Sequence, residues 1–201
     1  MSCGSHKEGG TLKFDVIVCG VGGQGVVLLS RIIAEAALLS GYSVRVSERR
    51  GLAQREGSVC SHVRIGRCFS PTIPLGHADL MIAMDMYEAL RHAGYLSDEG
   101  RAVVNLSAKV HIPHHLGINV FPDPDEVKAV LGERGFFIDA GSLAIKLGNA
   151  KVANMVMLGS SMRFMPVERN KVEEALRTIV SEKYLELNLK AIREGELSWS
   201  T

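Results

Sequence analysis

The sequence predicts one three-layer α/β/α domain of the Rossmann-like type, with a mostly parallel or mixed sheet and a helical C-terminal third. Three observations support this: short apolar runs alternate with amphipathic stretches, a glycine-rich turn follows the first apolar run, and helical spacing takes over from Ala140 onward. The 201 residues, of which 46% are hydrophobic and 22% charged, suit one globular domain. We expect residues 1–13 to form a flexible N-terminal arm and residues 14–201 to form the domain.

The first part of the domain predicts a strand, a turn, a helix and a second strand. Residues 14–19 are a short β-branched run, as in a strand buried on both faces, and they end in glycine. Residues 26–40 place charged side chains on one face and apolar side chains on the other, which predicts an amphipathic helix closed by Gly41. Residues 43–47 alternate as a strand does, so we expect a right-handed βαβ unit.

The rest of the chain follows the same two periodicities. A charged loop punctuated by glycines, residues 48–58, is long enough to carry function. Further strands are predicted over residues 59–65, 80–84, 102–106, 118–121 and 136–138, giving a sheet of six or more strands. Further helices are predicted over residues 87–92, 152–162, 172–180 and 184–193.

Composition argues against several classes of function. Lys plus Arg (23) nearly equals Asp plus Glu (22), so the chain lacks the bulk positive charge that attracts a nucleic-acid backbone. No two of its cysteines form a C-x-x-C pair, so we expect neither a zinc site nor an iron–sulfur cluster built from this chain alone. The four cysteines are Cys3, Cys19, Cys60 and Cys68. Their low density and the polar N-terminus predict a cytoplasmic protein without a signal peptide or membrane span.

The glycine-rich turn is the first candidate binding site. Gly20, Gly22 and Gly25 fit the pattern G-x-G-x-x-G between a strand and a helix, where backbone N–H groups and the helix dipole face a phosphate. A dinucleotide would then need Glu48 at the end of the second strand, and the following Arg49 and Arg50 could accept a 2′-phosphate. A free-standing NAD(P)- or nucleotide-binding protein is therefore one hypothesis, and a purely structural glycine turn is another.

A wider set of motifs, spread from residue 14 to the C-terminal helices, favours a different hypothesis. On these motifs the sequence resembles the γ-type subunits of the 2-oxoacid:ferredoxin oxidoreductases, and within that family the β subunits of indolepyruvate ferredoxin oxidoreductase. The motifs are G-V-G-G-Q-G at residues 20–25, the run from Ser47 to Gly66, S-P-T-I-P at 70–74, A-D at 78–79, E-A-L at 88–90, N-x-x-x-L-G at 154–159 and N-x-x-A-x-x-x-G at 188–195.

The resemblance implies oxidative decarboxylation of a 2-oxoacid to an acyl-CoA, with electrons passed to ferredoxin. The run from Ser47 to Gly66 favours an arylpyruvate as the 2-oxoacid. Thiamine diphosphate and [4Fe-4S] clusters are implied on a larger partner subunit. The isolated chain would bind neither thiamine diphosphate nor the [4Fe-4S] clusters. It could form a homodimer. This chain would handle coenzyme A. No catalytic or metal-binding residue is assigned to it. The coenzyme-binding candidates are Gly20, Gly22, Gly23, Gln24, Gly25, Arg50, Gln54, Arg55 and Ser58.

Other reactive side chains have simpler structural interpretations. Cys60, Ser61 and His62 adjoin, but neighbours on a strand point to opposite faces and do not form a nucleophile–base pair, so we expect packing roles. A group of histidines and aspartates offers metal-ligand types but no standard spacing: His111, His114, His115, Asp123 and Asp125. The methionines are expected to fill the core or a subunit contact: Met155, Met157, Met162 and Met165.

Overall fold

The structure, a computed structural model, describes residues 12–51, 57–106 and 123–199. In these residues a mixed sheet of six strands has the order β2-β3-β1-β4-β5-β6. β3 is antiparallel to both of its neighbours, and β1, β4, β5 and β6 are mutually parallel. The strands are β1 (Lys13–Val21), β2 (Val44–Arg50), β3 (Ser58–Gly66), β4 (Ala78–Ala83), β5 (Leu96–Asn105) and β6 (Gly135–Ile138).

Seven α-helices are seen in the described residues, and the C-terminal third is helical as predicted. They are α1 (Val26–Leu39), α2 (Met86–His92), α3 (Pro124–Leu131), α4 (Ala140–Lys146), α5 (Ala153–Ser161), α6 (Arg169–Ile179) and α7 (Glu182–Leu197). One face of the sheet packs on α1 and α4–α7, and the other on α2 and α3. The α/β prediction with a mixed sheet is therefore confirmed.

The predicted βαβ unit is present, although its two strands are not neighbours in the sheet. β1 and β2 do run parallel on either side of helix α1, but β3 lies between them. Val21 of β1 pairs with Ser58, and Arg50 of β2 pairs with Val59, so β3 forms hydrogen bonds along one edge of each strand. The sequence of β1, α1 and β2 is compatible with either arrangement, because a strand offers backbone groups along both of its edges.

Two short helices, α3 and α4, were not predicted from periodicity. Helix α3 nevertheless carries a clear start signal: Asp123 caps it, Pro124 opens it, and Glu126 completes a capping box. Asp123 accepts a hydrogen bond from the Asp125 N–H at 2.9 Å, so both aspartates of the metal hypothesis serve the start of this helix. His111, His114, His115 and the predicted strand 118–121 lie outside the described residues.

The C-terminal motifs are explained by a close helix crossing. A Cβ on Gly159 of α5 would lie 1.9 Å from the Ile192 carbonyl oxygen, and one on Gly195 of α7 would lie 2.0 Å from the Val156 carbonyl oxygen. Both positions therefore require glycine for the two helices to touch. Met155 and Met157 on the same helix are fully buried, which confirms their predicted core role.

Candidate functional site

The candidate site lies at the carboxyl edge of the sheet, where the parallel strands β1, β4, β5 and β6 end. Helix α1 follows β1 onto one face, whereas α2 follows β4 onto the other face. Ligands of open α/β sheets bind in the crevice that such a reversal creates. The two strand ends touch here: the Met84 N–H donates to the Cys19 carbonyl at 2.8 Å, and a Cβ on Gly20 would lie 2.7 Å from the Met84 Cβ.

Two hydrogen bonds hold the glycine turn in place, one within the turn and one to the residue before β3. The Gln24 side-chain oxygen accepts a hydrogen bond from the Val21 N–H at 2.7 Å, and the Gly22 N–H donates to the Gly57 carbonyl at 3.0 Å. Gly23 has a φ of 92°, and no atom lies within 4 Å of the position a Cβ would take. The side-chain oxygen of Gln24 is therefore used inside the turn, and the backbone at Gly23 is its open part.

Helix α1 begins beside this turn without a side-chain cap. Its N-cap residue is Gly25, at a φ of 81°, and the first turn of the helix contains no acidic residue. The first N–H groups of a helix lack intrahelical partners, and its N-terminus carries a partial positive charge. Asn154 is 96% buried, and its side-chain amide packs against Gly25. A Cβ on Gly25 would lie 2.3 Å from Asn154 Nδ2. The start of α1 thus offers donors and positive potential to an anion.

The arginines at the end of β2 divide between the two faces of the sheet. Arg50 forms an ion pair with Glu48 at 3.0 Å, with 66% of the arginine side chain exposed. Arg49 points to the other face and donates to the Tyr95 hydroxyl at 3.3 Å. The Gly51 N–H donates to the Ser58 carbonyl at 2.8 Å, which ties the end of β2 to the start of β3 beside the turn. Of the predicted coenzyme contacts, Gln54 and Arg55 lie outside the described residues.

Ser58 joins a buried carboxylate that the sequence did not single out as a site residue. Its Oγ donates to Glu88 Oε2 at 2.5 Å, while Arg91 Nε and His92 Nε2 each lie 3.3 Å from an oxygen of Glu88. Burial alone would raise the pKa of Glu88, but the contacts with His92, Ser58 and Arg91 outweigh it and lower that pKa. The available signal was local: Asp85 caps α2, and an acidic residue three positions later is typical of a helix start.

Cys60 and His62 follow Ser58 on the same face of β3, because they are two residues apart. The alternation argument separates Ser61 from both, but it overlooked this pair: Cys60 Sγ lies 3.7 Å from His62 Nε2. Burial raises the pKa of Cys60 to about 12 and lowers the pKa of His62 to about 4. His62 Nδ1 also accepts the Ile73 N–H at 3.1 Å. The pair is therefore a neutral thiol beside a neutral imidazole, as in a packed core.

The described residues add two further findings. No group of three or more His, Cys, Asp or Glu side chains within them is arranged to hold a metal ion. None of the helices in this part of the chain has the length and apolarity to cross a bilayer. A cleft of about 350 Å³ opens between α1 and α7, next to Asn154, and Lys151 and Tyr184 are among its lining residues.

Comparison with known proteins agrees with the fold and the motifs. Residues 15–196 match the family described as pyruvate ferredoxin/flavodoxin oxidoreductase. The indolepyruvate oxidoreductase subunit IorB of Archaeoglobus fulgidus is 38% identical over 189 residues, covering 92% of this chain and 94% of the relative. The corresponding subunit of Methanothermobacter thermautotrophicus is 36% identical, covering 92% of this chain and 96% of the relative. The common γ subunit of the pyruvate/ketoisovalerate oxidoreductases of Pyrococcus furiosus is 26% identical, covering 88% and 91%.

Solved structures share the fold at lower identity. The γ subunit of a keto/oxoacid ferredoxin oxidoreductase from Geobacter sulfurreducens superposes with a TM-score of 0.69 at 23% identity, covering 94% of this chain and 99% of that one. A 2-oxoglutarate:ferredoxin oxidoreductase from Magnetococcus marinus, solved with coenzyme A bound, gives 0.73 at 19% identity; the match covers 94% of this chain and 31% of that one. The family match over most of the chain, together with relatives above 30% identity, places the protein in the pyruvate ferredoxin/flavodoxin oxidoreductase family.

Proposed function

We propose that this chain is the smaller, coenzyme-A-handling subunit of a cytoplasmic indolepyruvate or other arylpyruvate ferredoxin oxidoreductase. In that reaction the bond between the oxo carbon and the carboxylate breaks, carbon dioxide leaves, and the thiol of coenzyme A loses its proton as the thioester forms. The electron pair passes to ferredoxin. Thiamine diphosphate and the [4Fe-4S] clusters are assigned to a larger partner subunit, and this chain is assigned the binding of coenzyme A.

One observation carries the assignment of coenzyme A to the carboxyl edge. The open backbone at Gly23 and the uncapped start of α1 lie beside the crevice between β1 and β4, and the start of β3 links the turn to the end of β2. Phosphate groups suit such a place, because they accept hydrogen bonds from free N–H groups and are attracted by the helix N-terminus. The free-standing NAD(P) hypothesis is not favoured, since the curated relatives that match over nearly their whole length are oxidoreductase subunits.

A pair of matched glycine variants tests this assignment in the co-expressed complex. Gly23 and Gly41 both have positive φ values, 92° and 83°, and at both positions the space that a Cβ would enter is free of other atoms within 4 Å. Alanine at either position should cost about 1 to 2 kcal/mol of stability, because both need the left-handed conformation. Only Gly23→Ala should raise the KM for coenzyme A, by about tenfold, since its methyl group enters the ligand side of the turn.

An equal effect of Gly23→Ala and Gly41→Ala on the KM for coenzyme A would overturn the assignment. The substrate class is tested separately by comparing kcat/KM for indolepyruvate, pyruvate and 2-oxoglutarate, with indolepyruvate expected to be highest. The chain expressed alone should show no turnover with any of them. Activity of the lone chain, or tight binding of NAD(P) to it, would instead support the free-standing nucleotide-binding hypothesis.

The partner is expected to cover a large surface of this chain. A permanent complex of this kind buries about 2,000 Å² or more in total. We propose the larger thiamine-binding subunit as that partner, ferredoxin as the electron acceptor, and a homodimer as the state of the isolated chain. Residues 14–201 would act as a single domain together with Lys13, the first residue of β1, and the residues before it would act as an arm. Sedimentation of the chain with and without the co-expressed partner tests this arrangement.

A further inference from the structure

Ser58 lies at the carboxyl edge, where the start of β3 is hydrogen-bonded to the end of β2 and to the glycine turn. It is the first residue of β3, and its carbonyl accepts the Gly51 N–H at 2.8 Å. The residue before it, Gly57, accepts the Gly22 N–H of the glycine turn at 3.0 Å. Ser58 is only partly buried, so its side chain can reach both the interior and a ligand at this edge.

The hydrogen-bond donor of Ser58 is already in use. A serine hydroxyl has one hydrogen to donate, and an ionised carboxylate can only accept. The 2.5 Å separation between Ser58 Oγ and Glu88 Oε2 is that of a hydrogen bond from a hydroxyl to a charged carboxylate. The hydroxyl hydrogen therefore points at Glu88, and the lone pairs of Oγ remain for any other partner.

Glu88 is held firmly in this role by its own surroundings. Its side chain is only 3% exposed, and Arg91 and His92 on the same helix each lie 3.3 Å from one of its oxygens. The Glu88 N–H donates to Asp85 Oδ1 at 2.9 Å, which fixes the backbone of the residue at the helix start. The Glu88 carbonyl also accepts the Cys19 thiol at 3.6 Å, which ties this turn of α2 to the end of β1.

We propose that Glu88 is a positioning residue that makes Ser58 a hydrogen-bond acceptor, so that Ser58 recognises an N–H or O–H group of the acyl carrier and not one of its phosphates. This inference rests on the proposed function and refines it, because it divides the edge between two kinds of ligand group. Phosphate oxygens face the backbone at Gly23 and the start of α1, where donors are available. At Ser58 a phosphate oxygen would meet an oxygen whose hydrogen is already used by Glu88, and two hydrogen-bond acceptors repel each other.

The test uses the co-expressed complex and two probes. Coenzyme A reports on the whole carrier, and inorganic pyrophosphate, as a competitive inhibitor, reports on the phosphate position alone. Ser58→Ala should raise the KM for coenzyme A about five- to fifteenfold, the equivalent of one lost hydrogen bond, with kcat within about twofold. The inhibition constant of pyrophosphate should not change. Ser58→Thr keeps the hydroxyl and should restore most of the affinity.

Glu88→Gln should also raise the KM for coenzyme A, since an amide can donate to Ser58 and release the fixed direction of its hydroxyl. Because both residues act on one hydrogen bond, the Ser58→Ala/Glu88→Gln double variant should be no worse than Ser58→Ala. Two control variants make the same chemical changes away from the site. Ser160→Ala lies between α5 and α7, and Glu173→Gln lies on the outside of α6. Both should leave the KM for coenzyme A unchanged.

Each contrary result has a distinct meaning. A higher pyrophosphate inhibition constant in Ser58→Ala would show that Ser58 binds phosphate, and it would overturn the inference. Unchanged KM values in Ser58→Ala, with a raised KM in Gly23→Ala, would overturn the inference and leave the proposed function standing. Unchanged KM values in all of these variants, or no competition by pyrophosphate in the unaltered complex, would overturn the proposed site itself. If Glu88→Gln fails to assemble, Ser58→Ala against Ser58→Thr still decides.

Discussion

Two of the buried carboxylates, Asp15 and Glu88, lie on the same face of the sheet, one near each of its ends. Asp15, near the amino end of β1, is bound by Arg64 through two hydrogen bonds of 2.8 and 2.9 Å. Glu88, at the carboxyl edge, is bound by Ser58 and approached by two side chains of its own helix. Asp15 is neutralised by Arg64 across the strand pair and by Lys13, whose Nζ lies 3.6 Å from Asp15 Oδ2, whereas Glu88 keeps a hydroxyl turned toward it. The first arrangement joins strands, and the second prepares a side chain for a ligand.

The position of the charge partner explains this difference. Arg64 is the cross-strand partner of Asp15 in the register of β1 and β3, and it also donates to the Ser70 and Thr72 carbonyls at 3.1 and 3.0 Å. All of the N–H groups that Arg64 uses therefore donate to other residues of this protein. Arg91, beside Glu88, is 49% exposed and can be removed without opening the core. A buried ion pair built into strand register is a structural element, and a carboxylate supported from a helix surface can serve a site.

The largest expected effect is the loss of Arg64. Arg64→Leu removes both side-chain hydrogen bonds to the buried Asp15 carboxylate and leaves it only the half-exposed Lys13, 3.6 Å away, so the free energy of unfolding should fall by about 3 to 5 kcal/mol. Urea denaturation of the isolated chain measures it, and the loss should be nearly independent of salt because the pair is buried. A loss below about 1 kcal/mol would mean that Asp15 is neutralised in some other way.

A smaller effect is expected from His62, which lies on β3 between the two carboxylates. Burial lowers its pKa from 6.5 to about 4, so between these values the unfolded chain binds more protons than the folded chain. The contribution of His62 to the free energy of unfolding should therefore be at its full value above pH 6.5. It should fall as the pH drops toward 4, by about 3 kcal/mol in total. His62→Leu should flatten this part of the stability profile. An unchanged slope in that variant would assign the acid sensitivity to other groups.

The smallest effect is expected at Arg91. Arg91→Gln removes a half-exposed partner of Glu88 at 3.3 Å, and such pairs contribute about 0 to 1 kcal/mol. The loss should shrink further at high salt, in contrast to Arg64→Leu. Parallel denaturation curves at low and high ionic strength measure both variants. A loss at Arg91 as large as that at Arg64 would remove the distinction between the two carboxylates.

Much of the architecture followed from local sequence. The apolar run before Gly20, the glycine turn and the amphipathic helix α1 are each decided by neighbouring residues, so their order was predicted correctly. The C-terminal helices followed for the same reason, and the spread of motifs identified the family. The short helices α3 and α4 were missed, although capping residues marked the start of α3.

The sequence alone therefore determined the glycine turn, the helix that follows it and the family, because these depend on residues close together in the chain. Only the tertiary structure decided that β3 separates β1 from β2, since strand order depends on which of several possible partners a strand edge meets. It also decided what Ser58 can do. The direction of its hydroxyl is set by Glu88, thirty residues away, and no local pattern shows which carboxylate will lie within 2.5 Å.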